Sequence, residues 1–208
     1  MFMEISNIIM SIIFKAFIQT WYIWVIIIFF IVLGGVVRIL KPKIKGFIGE
    51  KEVAFLLSKM DLEKYKVLNN LKVDIDRKKI QIDHLVISNY GIFVIETKNY
   101  KGRIYGDEST NYWTQIFYKD KIKFYNPIRQ NDWHVKALKN ILNEYPSLLY
   151  FPIVVFIEGS DLRVNTITDV VYTRDLIKTI RQHRTEIIPN DIRDDIYNYL
   201  INLNIKTK

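Results

Sequence analysis

Between Ala16 and Val37 the chain carries no charged residue, and the run from Trp21 to Leu33 is almost wholly apolar. About 20 such residues suffice to cross the hydrocarbon core of a bilayer as a helix. A helix packed into a soluble core would keep a polar stripe, and this one has none. Trp21, Tyr22 and Trp24 gather at one end, as amphipathic rings do at a membrane interface. A cleaved signal peptide would have a shorter apolar region and small residues at a cleavage point, for which Gly34-Gly35 is the candidate. We expect one transmembrane helix over about residues 16–39, within an N-terminal anchor of residues 1–40. Arg38, Lys41, Lys43, Lys45 and Lys51 follow the span, whereas Glu4 and Lys15 precede it. The positive-inside tendency then places the C-terminal side in the cytoplasm of a single-pass protein of the cell membrane. The basic cluster also reads as a contact for anionic headgroups.

Composition bounds the remainder. Among 208 residues there is no Cys, and the net charge is +8. A disulfide scaffold and a Cys-ligated metal centre are both excluded. The eight Gly residues never form G-x-G-x-x-G or G-x-x-x-x-G-K, which removes the common phosphate loops. With half of its residues apolar, the chain is not of disordered composition.

Pro42 reads as a linker, so residues 41–208 are expected to form one soluble domain. Gly46–Lys59 has helical spacing of Phe47, Val53, Ala54 and Leu57. Tyr65–Val73 reads as a strand and Asp74–Lys79 as a polar turn. Ile80–Ile87 and Ile92–Asn99 are strands joined by the tight turn Ser88-Asn89-Tyr90-Gly91. Tyr112–Tyr118 and Lys121–Tyr125 form a second hairpin. Asn126-Pro127 supplies a cap and a first helical residue, and Val135, Leu138, Ile141 and Leu142 line the apolar face of the helix that follows. Pro152–Ile157 suits a buried central strand, and Val170–Tyr172 a further one. Helices near Thr173–Gln182 and Asn190–Leu203, with Thr173 and Asn190 as caps, close the chain. The expected class is α/β, a mixed central sheet flanked by helices and preceded by the transmembrane helix.

The chemically informative stretch runs Gln81-Ile82-Asp83-His84-Leu85-Val86-Ile87, then Gly91-Ile92-Phe93-Val94-Ile95-Glu96-Thr97-Lys98-Asn99-Tyr100. Side chains alternate faces along a strand, so Glu96 and Lys98 share one face with Cα atoms about 6.5 Å apart. Two nearby carboxylates repel when both are ionised. A divalent ion removes that repulsion, and Mg²⁺ commonly takes one or two carboxylates plus water and a phosphate oxygen. A neighbouring Lys can orient water or neutralise charge on a phosphate. The same residues also read as a same-face surface ion pair worth under about 1 kcal/mol beside a strand-edge acid. His84 faces away from Asp83 and suits packing or hydrogen bonding, as does His134. Trp113 suits either a buried core or stacking on a base.

Together these stretches resemble the NERD (nuclease-related domain) family. The resemblance is carried by Gly49-Glu50, Gln81 to Val86, Gly91 to Gly102, Trp113, and Asn126-Pro127 with Gln130 and His134. It is clearest over about residues 46–142 and leaves the rest as a C-terminal α/β extension. It implies a restriction-endonuclease-like PD-(D/E)xK fold and a role in DNA processing. It further implies Asp83 and Glu96 as metal ligands, Lys98 as the catalytic lysine, and Glu50 as the helix-borne acid completing a Mg²⁺ (or Mn²⁺) site. Gln130 would match the glutamine on a later helix of RecB-like nucleases. Lys101, Arg103 and Arg129 become candidates for phosphate contact. Lys119, Lys121 and Lys123 near a hairpin tip, and Arg77-Lys78-Lys79 on a turn, add positive charge. The expected function is a membrane-anchored, metal-dependent nuclease acting on DNA. The rivals are a non-catalytic nucleic-acid-binding module at the membrane and a structural protein of the membrane surface.

Overall fold

A computed structural model describes residues 2–75 and 78–206, and the chain divides into two compact units, one ending at Lys45 and one beginning at Gly46. Helix α1 (Phe2–Leu57) accounts for the first unit and supplies the opening helix of the second. In its apolar stretch no residue is buried, and the helix is long and apolar enough to cross a membrane. It extends beyond the expected 16–39 at both ends. Pro42, expected as a linker, lies inside the helix. Proline removes one hydrogen bond, to the carbonyl of Arg38. That stretch is exposed, so the freed carbonyl can be solvated, and the helix formers Leu40, Lys41, Lys43 and Lys45 sustain the helix on both sides.

The second unit contains two sheets where one central sheet was expected. Strands β1 (Tyr65–Ile75), β2 (Lys78–Ser88), β3 (Gly91–Lys98), β7 (Tyr150–Phe156) and β9 (Asp169–Tyr172) form the larger, in the order β1-β2-β3-β7-β9. Strands β4 (Gly102–Asp107), β5 (Tyr112–Phe117), β6 (Asp120–Tyr125) and β8 (Ser160–Asn165) form the smaller, in the order β6-β5-β4-β8. The first three strands of the larger sheet are antiparallel, and β7 and β9 join in parallel. Helix α2 (Pro127–Ile141) lies in the long connection from β5–β6 back to β7. β3 and β7 leave the large sheet side by side. Their continuations β4 and β8 then pair in parallel in the small one.

The tight turn between β2 and β3 forms as expected. Ser88 Oγ donates to the Gly91 carbonyl at 2.9 Å and accepts from the Tyr90 N–H at 3.1 Å. Gly91 has φ +136°, a conformation that suits glycine. The expected polar turn Asp74–Lys79 is shorter than the sequence implied: Asp74 and Ile75 end β1, paired with Lys79 and Lys78 at the start of β2, and Asp76 and Arg77 lie outside the described residues.

β3 is buried on both faces. Ile92 and Val94 pack with Leu85, Ile87, Leu138 and Leu142 and with Ile196 and Leu200 of α4 (Asn190–Lys206). Phe93 and Ile95 pack oppositely with Val53, Leu57, Val86, Val155 and the short helix α3 (Leu176–Ile180). A third cluster joins the sheets through Ile104, Trp113, Ile128, Val154 and Phe156. Trp113 is wholly buried there, which settles its choice in favour of the core. Thr173 does not cap a helix. Its hydroxyl donates to the Phe156 carbonyl at 3.3 Å, and a 3-10 turn (Thr173–Asp175) precedes α3.

Strands β4 and β8 were not anticipated. β4 reads GRIYGD, with a glycine at each end of its apolar pair, and β8 reads SDLRVN, polar at alternate positions. Gly106 is required because a Cβ there would fall within the indole of Trp113. A residue demanded by a ring on the neighbouring strand leaves no strand signal in its own segment.

Candidate active site

Asp83 sits where the sheet ladder lapses on both sides. β1 pairs through Asn69↔His84 and Leu71↔Ile82, passing over Asn70, which has φ +55°. The pairing with β3 starts at His84↔Ile95. In place of a carbonyl, the Asp83 carboxylate accepts the Thr97 N–H at 2.9 Å, anchoring the middle of β2 to the end of β3. Burial raises the Asp83 pKa, opposed by that N–H and by Lys98.

Glu96 projects from β3 and is only 2% exposed. Its Oε1 accepts from Lys98 Nζ at 2.6 Å. Its Oε2 has no hydrogen-bond partner and lies 3.6 Å from His134 Nδ1, which also lacks one. Burial pushes the Glu96 pKa up to about 7, with Lys98 opposing and the charges of Asp83 and Glu50 adding. Burial, and then Lys98, pushes His134 down to about 4, so at neutral pH its contact with Glu96 is not an ion pair. For Lys98 burial works against the charge, but the charge and hydrogen bond of Glu96 prevail and the pKa rises. Lys98 is therefore a charged amine beside a carboxylate held close to its titration point.

α2 supplies the third partner. Asn126 caps it, its Oδ1 accepting the Ile128 N–H at 2.9 Å. The Asn126 amide donates to the carbonyls of Asp107, Glu108 and Thr110, tying the helix start to the β4–β5 turn. One turn along, Gln130 Oε1 accepts from Lys98 Nζ at 3.0 Å. Asn131, which drew no notice in the sequence, donates from its buried amide to the carbonyls of Val94 and Ile153 and so fixes the helix over β3 and β7. His134 was read as structural, and its approach to Glu96 follows from the one-turn spacing with Gln130.

Glu50 approaches from α1. Gly49 beside it is buried, and a Cβ there would lie 3.0 Å from Asn99 Cβ and 3.1 Å from Ile157 Cγ1. Burial raises the Glu50 pKa, followed by the charge of Asp83, with Lys98 opposing. A small cleft of about 80 Å³ opens here, with Glu50 and Asp83 among its lining residues. A larger cavity of about 520 Å³ is lined by Glu63, Asn89, Glu186 and their neighbours and includes none of the predicted site residues. His84 Nδ1 lies 2.7 Å from Asn69 Oδ1, in line with a hydrogen-bonding role.

Contact thus unites Glu96, Lys98 and Gln130. Asp83 is tied to the adjoining backbone, and Glu50 is coupled to it through charge. Lys101 and Arg103 are exposed on the β3–β4 connection and on β4. Arg129 donates to the carbonyls of Ser109 at 2.6 Å and Thr110 at 3.2 Å, which binds its guanidinium to the β4–β5 turn.

Among the described residues no three His, Cys, Asp or Glu side chains are grouped closely enough to hold a metal ion. The donor chemistry still suits a hard divalent cation. The carboxylates of Asp83, Glu96 and Glu50 have raised affinity for protons, and one Glu96 oxygen is buried with no partner. Mg²⁺ needs only one or two carboxylates and keeps several waters. Glu50 and Asp83 line the cleft while Glu96 lies buried behind them, so the residues present fit an ion seated on the cleft side with water completing its shell rather than one caged by protein.

A family model described as nuclease-related domain, NERD, matches residues 45–157, a range that holds all five predicted catalytic residues. An uncharacterized protein of Bacillus anthracis is 39% identical over 181 residues, covering 85% of this chain and 84% of that protein. With the family model spanning more than half its length, the chain belongs to the nuclease-related domain (NERD) family.

Proposed function

We propose that the protein is a membrane-anchored, divalent-metal-dependent nuclease that hydrolyses DNA phosphodiester bonds. The observation that carries this reading is the contact of Lys98 with both Glu96 and Gln130 beside Asp83, inside the family match. In this reading Asp83 and Glu96, with Glu50 alongside, hold Mg²⁺ or Mn²⁺. Such an ion supplies Lewis-acid polarisation of a phosphoryl oxygen and a more acidic bound water. The residues of the chain do the positioning. Gln130 and Glu96 hold the Lys98 amine in place, where it can orient the attacking water and neutralise charge on the phosphate. Asp83 is kept in register by the Thr97 N–H. Lys101 and Arg103 are exposed cations for the phosphate backbone.

Helix α1 supports the anchoring, and the excess of Lys and Arg after the apolar run supports a cytoplasmic second unit. A non-catalytic nucleic-acid-binding module is the second reading, favoured by the absence of a preformed three-ligand group among the described residues. The full chain in detergent or nanodiscs, incubated with Mg²⁺ or Mn²⁺ and with single- and double-stranded DNA and RNA, tests both. Metal-dependent cleavage of DNA that disappears in Asp83→Asn and Lys98→Ala supports the enzyme. Cleavage at full rate in those variants overturns it, and binding without cleavage favours the second reading.

A further inference from the structure

The smaller sheet has one covered face and one open face, and the open one is built like a platform for a single strand. Ile104, Trp113, Phe124, Leu162 and Val164 belong to the buried cluster and account for one side of β4, β5, β6 and β8. Alternation sends their neighbours the other way, and the register fixes which of these stand together. Across β6-β5-β4, Lys121 stands beside Ile116 and Arg103, and Lys123 beside Thr114 and Tyr105. At the end of the same face Tyr125 pairs with Tyr112, their rings 6.0 Å apart and edge-on.

The open side therefore gathers cations towards one end, at Arg103, Lys121 and Lys123, and aromatic rings towards the other, at Tyr105, Tyr112 and Tyr125. Tyr105, Tyr112 and Tyr125 are 39%, 61% and 42% exposed. Arg103, Lys121 and Lys123 are exposed as well, and among the described residues none has an acidic partner. The flanking strand sets Asp161 beside Arg103 and Arg163 beside Tyr105, and these two flanking charges meet each other at 3.1 Å. A β surface carrying cations at strand spacing, with exposed rings beside them, has the chemistry to track a phosphate backbone while bases stack. The strand spacing of about 4.8 Å sets cations and rings within one or two nucleotides of each other. A duplex offers this surface phosphates but no free base faces.

The geometry points to the open face of the β6-β5-β4 sheet as a docking surface for single-stranded nucleic acid, held electrostatically by Arg103, Lys121 and Lys123 and by stacking on Tyr105, Tyr112 and Tyr125. This rests on the reading of the protein as one that acts on nucleic acid. It adds a strand-selective surface distinct from the carboxylate site, because none of these six side chains contacts Asp83, Glu96 or Lys98.

The test is binding of the full chain, in nanodiscs of zwitterionic lipid and without divalent metal, to a fluorescein-labelled oligothymidylate and to a duplex of equal length. The triple variant Tyr105→Leu, Tyr112→Leu, Tyr125→Leu should weaken single-strand binding by about tenfold or more and leave its salt dependence unchanged. The triple variant Arg103→Gln, Lys121→Gln, Lys123→Gln should lower the slope of log K against log salt by about 0.7 per cation removed. Should a triple variant misfold, photocrosslinking of the unsubstituted chain to an iodouracil-bearing strand should attach at the three tyrosines. Single-strand affinity unchanged in both variants, equal losses for strand and duplex in the tyrosine variant, or crosslinks confined to other residues would overturn the proposal. So would attachment of the tyrosines to a photoreactive anionic phospholipid in place of the strand. Cleavage lost in Asp83→Asn with this binding intact separates the surface from the catalytic site. Cleavage with no effect of the sheet variants on binding sinks the surface and leaves the nuclease standing.

Discussion

Glu96 and Lys98, two steps apart on β3, meet at 2.6 Å, and the contact leaves the second Glu96 oxygen buried without a donor. The pair therefore balances a nearly fully desolvated carboxylate against one amine. Replacing Lys98 with Met leaves that carboxylate uncompensated. Removing one partner of a buried pair costs about 3 kcal/mol or more. We expect thermal unfolding of the full chain in detergent to show this loss at pH 8, where Glu96 is ionised. The loss should shrink at pH 5.5, where Glu96 takes up a proton, and most of it should be recovered by adding Glu96→Gln. An equal loss at both pH values would rule out the charge explanation.

Stability should also depend on the burial of His84, whose pKa is lowered from 6.5 to about 4 by desolvation. Between those values the unfolded chain binds more protons than the fold. Its contribution is thus complete above pH 6.5 and is lost as the pH falls towards 4. Glu96 acts in the opposite sense, because its pKa is raised from 4.5 to about 7. Its contribution is complete below pH 4.5 and is lost as the pH rises through 7. In His84→Gln the acid-side decline should become shallower by up to roughly 1.4 kcal/mol per pH unit, read from urea unfolding at pH 4, 5 and 6. A parallel curve displaced by a constant would show that His84 carries no titration effect.

The small sheet depends on the fit of Gly106 beneath Trp113. In Gly106→Ala the added methyl group meets the indole, which is wholly buried and cannot swing clear. Overpacking of this kind costs about 1–3 kcal/mol. We expect a lower unfolding midpoint and altered near-ultraviolet dichroism, with part of the loss recovered when Trp113→Phe is added. Additive losses in the double variant would mean that the two residues do not share a contact.

The absence of cysteine makes membrane topology directly readable. Single Ser6→Cys and Ser147→Cys chains should differ towards a membrane-impermeant maleimide in intact cells. Cys at position 6 should react from outside, and Cys at position 147 only after lysis. Reaction of position 147 in intact cells would reverse the proposed orientation. Release of the chain by alkaline extraction would remove the span itself.

Much of the protein is legible in one dimension wherever a property depends on neighbours along the chain. The apolar run of α1 reads from composition alone. The β2–β3 and β5–β6 hairpins read from alternation bounded by turn residues, and the start of α2 reads from Asn126-Pro127. The shared face of Glu96 and Lys98 follows from the two-residue period of a strand. The NERD resemblance supplied the role of Gln130, which spacing alone left open. Pro42 misled because a single missing hydrogen bond weakens a helix without obliging it to end.

What the sequence by itself determined is therefore the local order: an apolar helix, the hairpins, a capped helix, and the acid-acid-amine string. Only the tertiary structure decided that β3 and β7 cross together into a second sheet, that Glu96 lies nearly out of reach of water, and that Gln130 and His134 come to bear on it. The physical reason is that burial and pKa are set by what packs around a group, and the neighbours of the Glu96–Lys98 pair, Gln130 on Lys98 and His134 on Glu96, arrive from a helix more than 30 residues away. No local pattern encodes the desolvation that raises the pKa of this carboxylate.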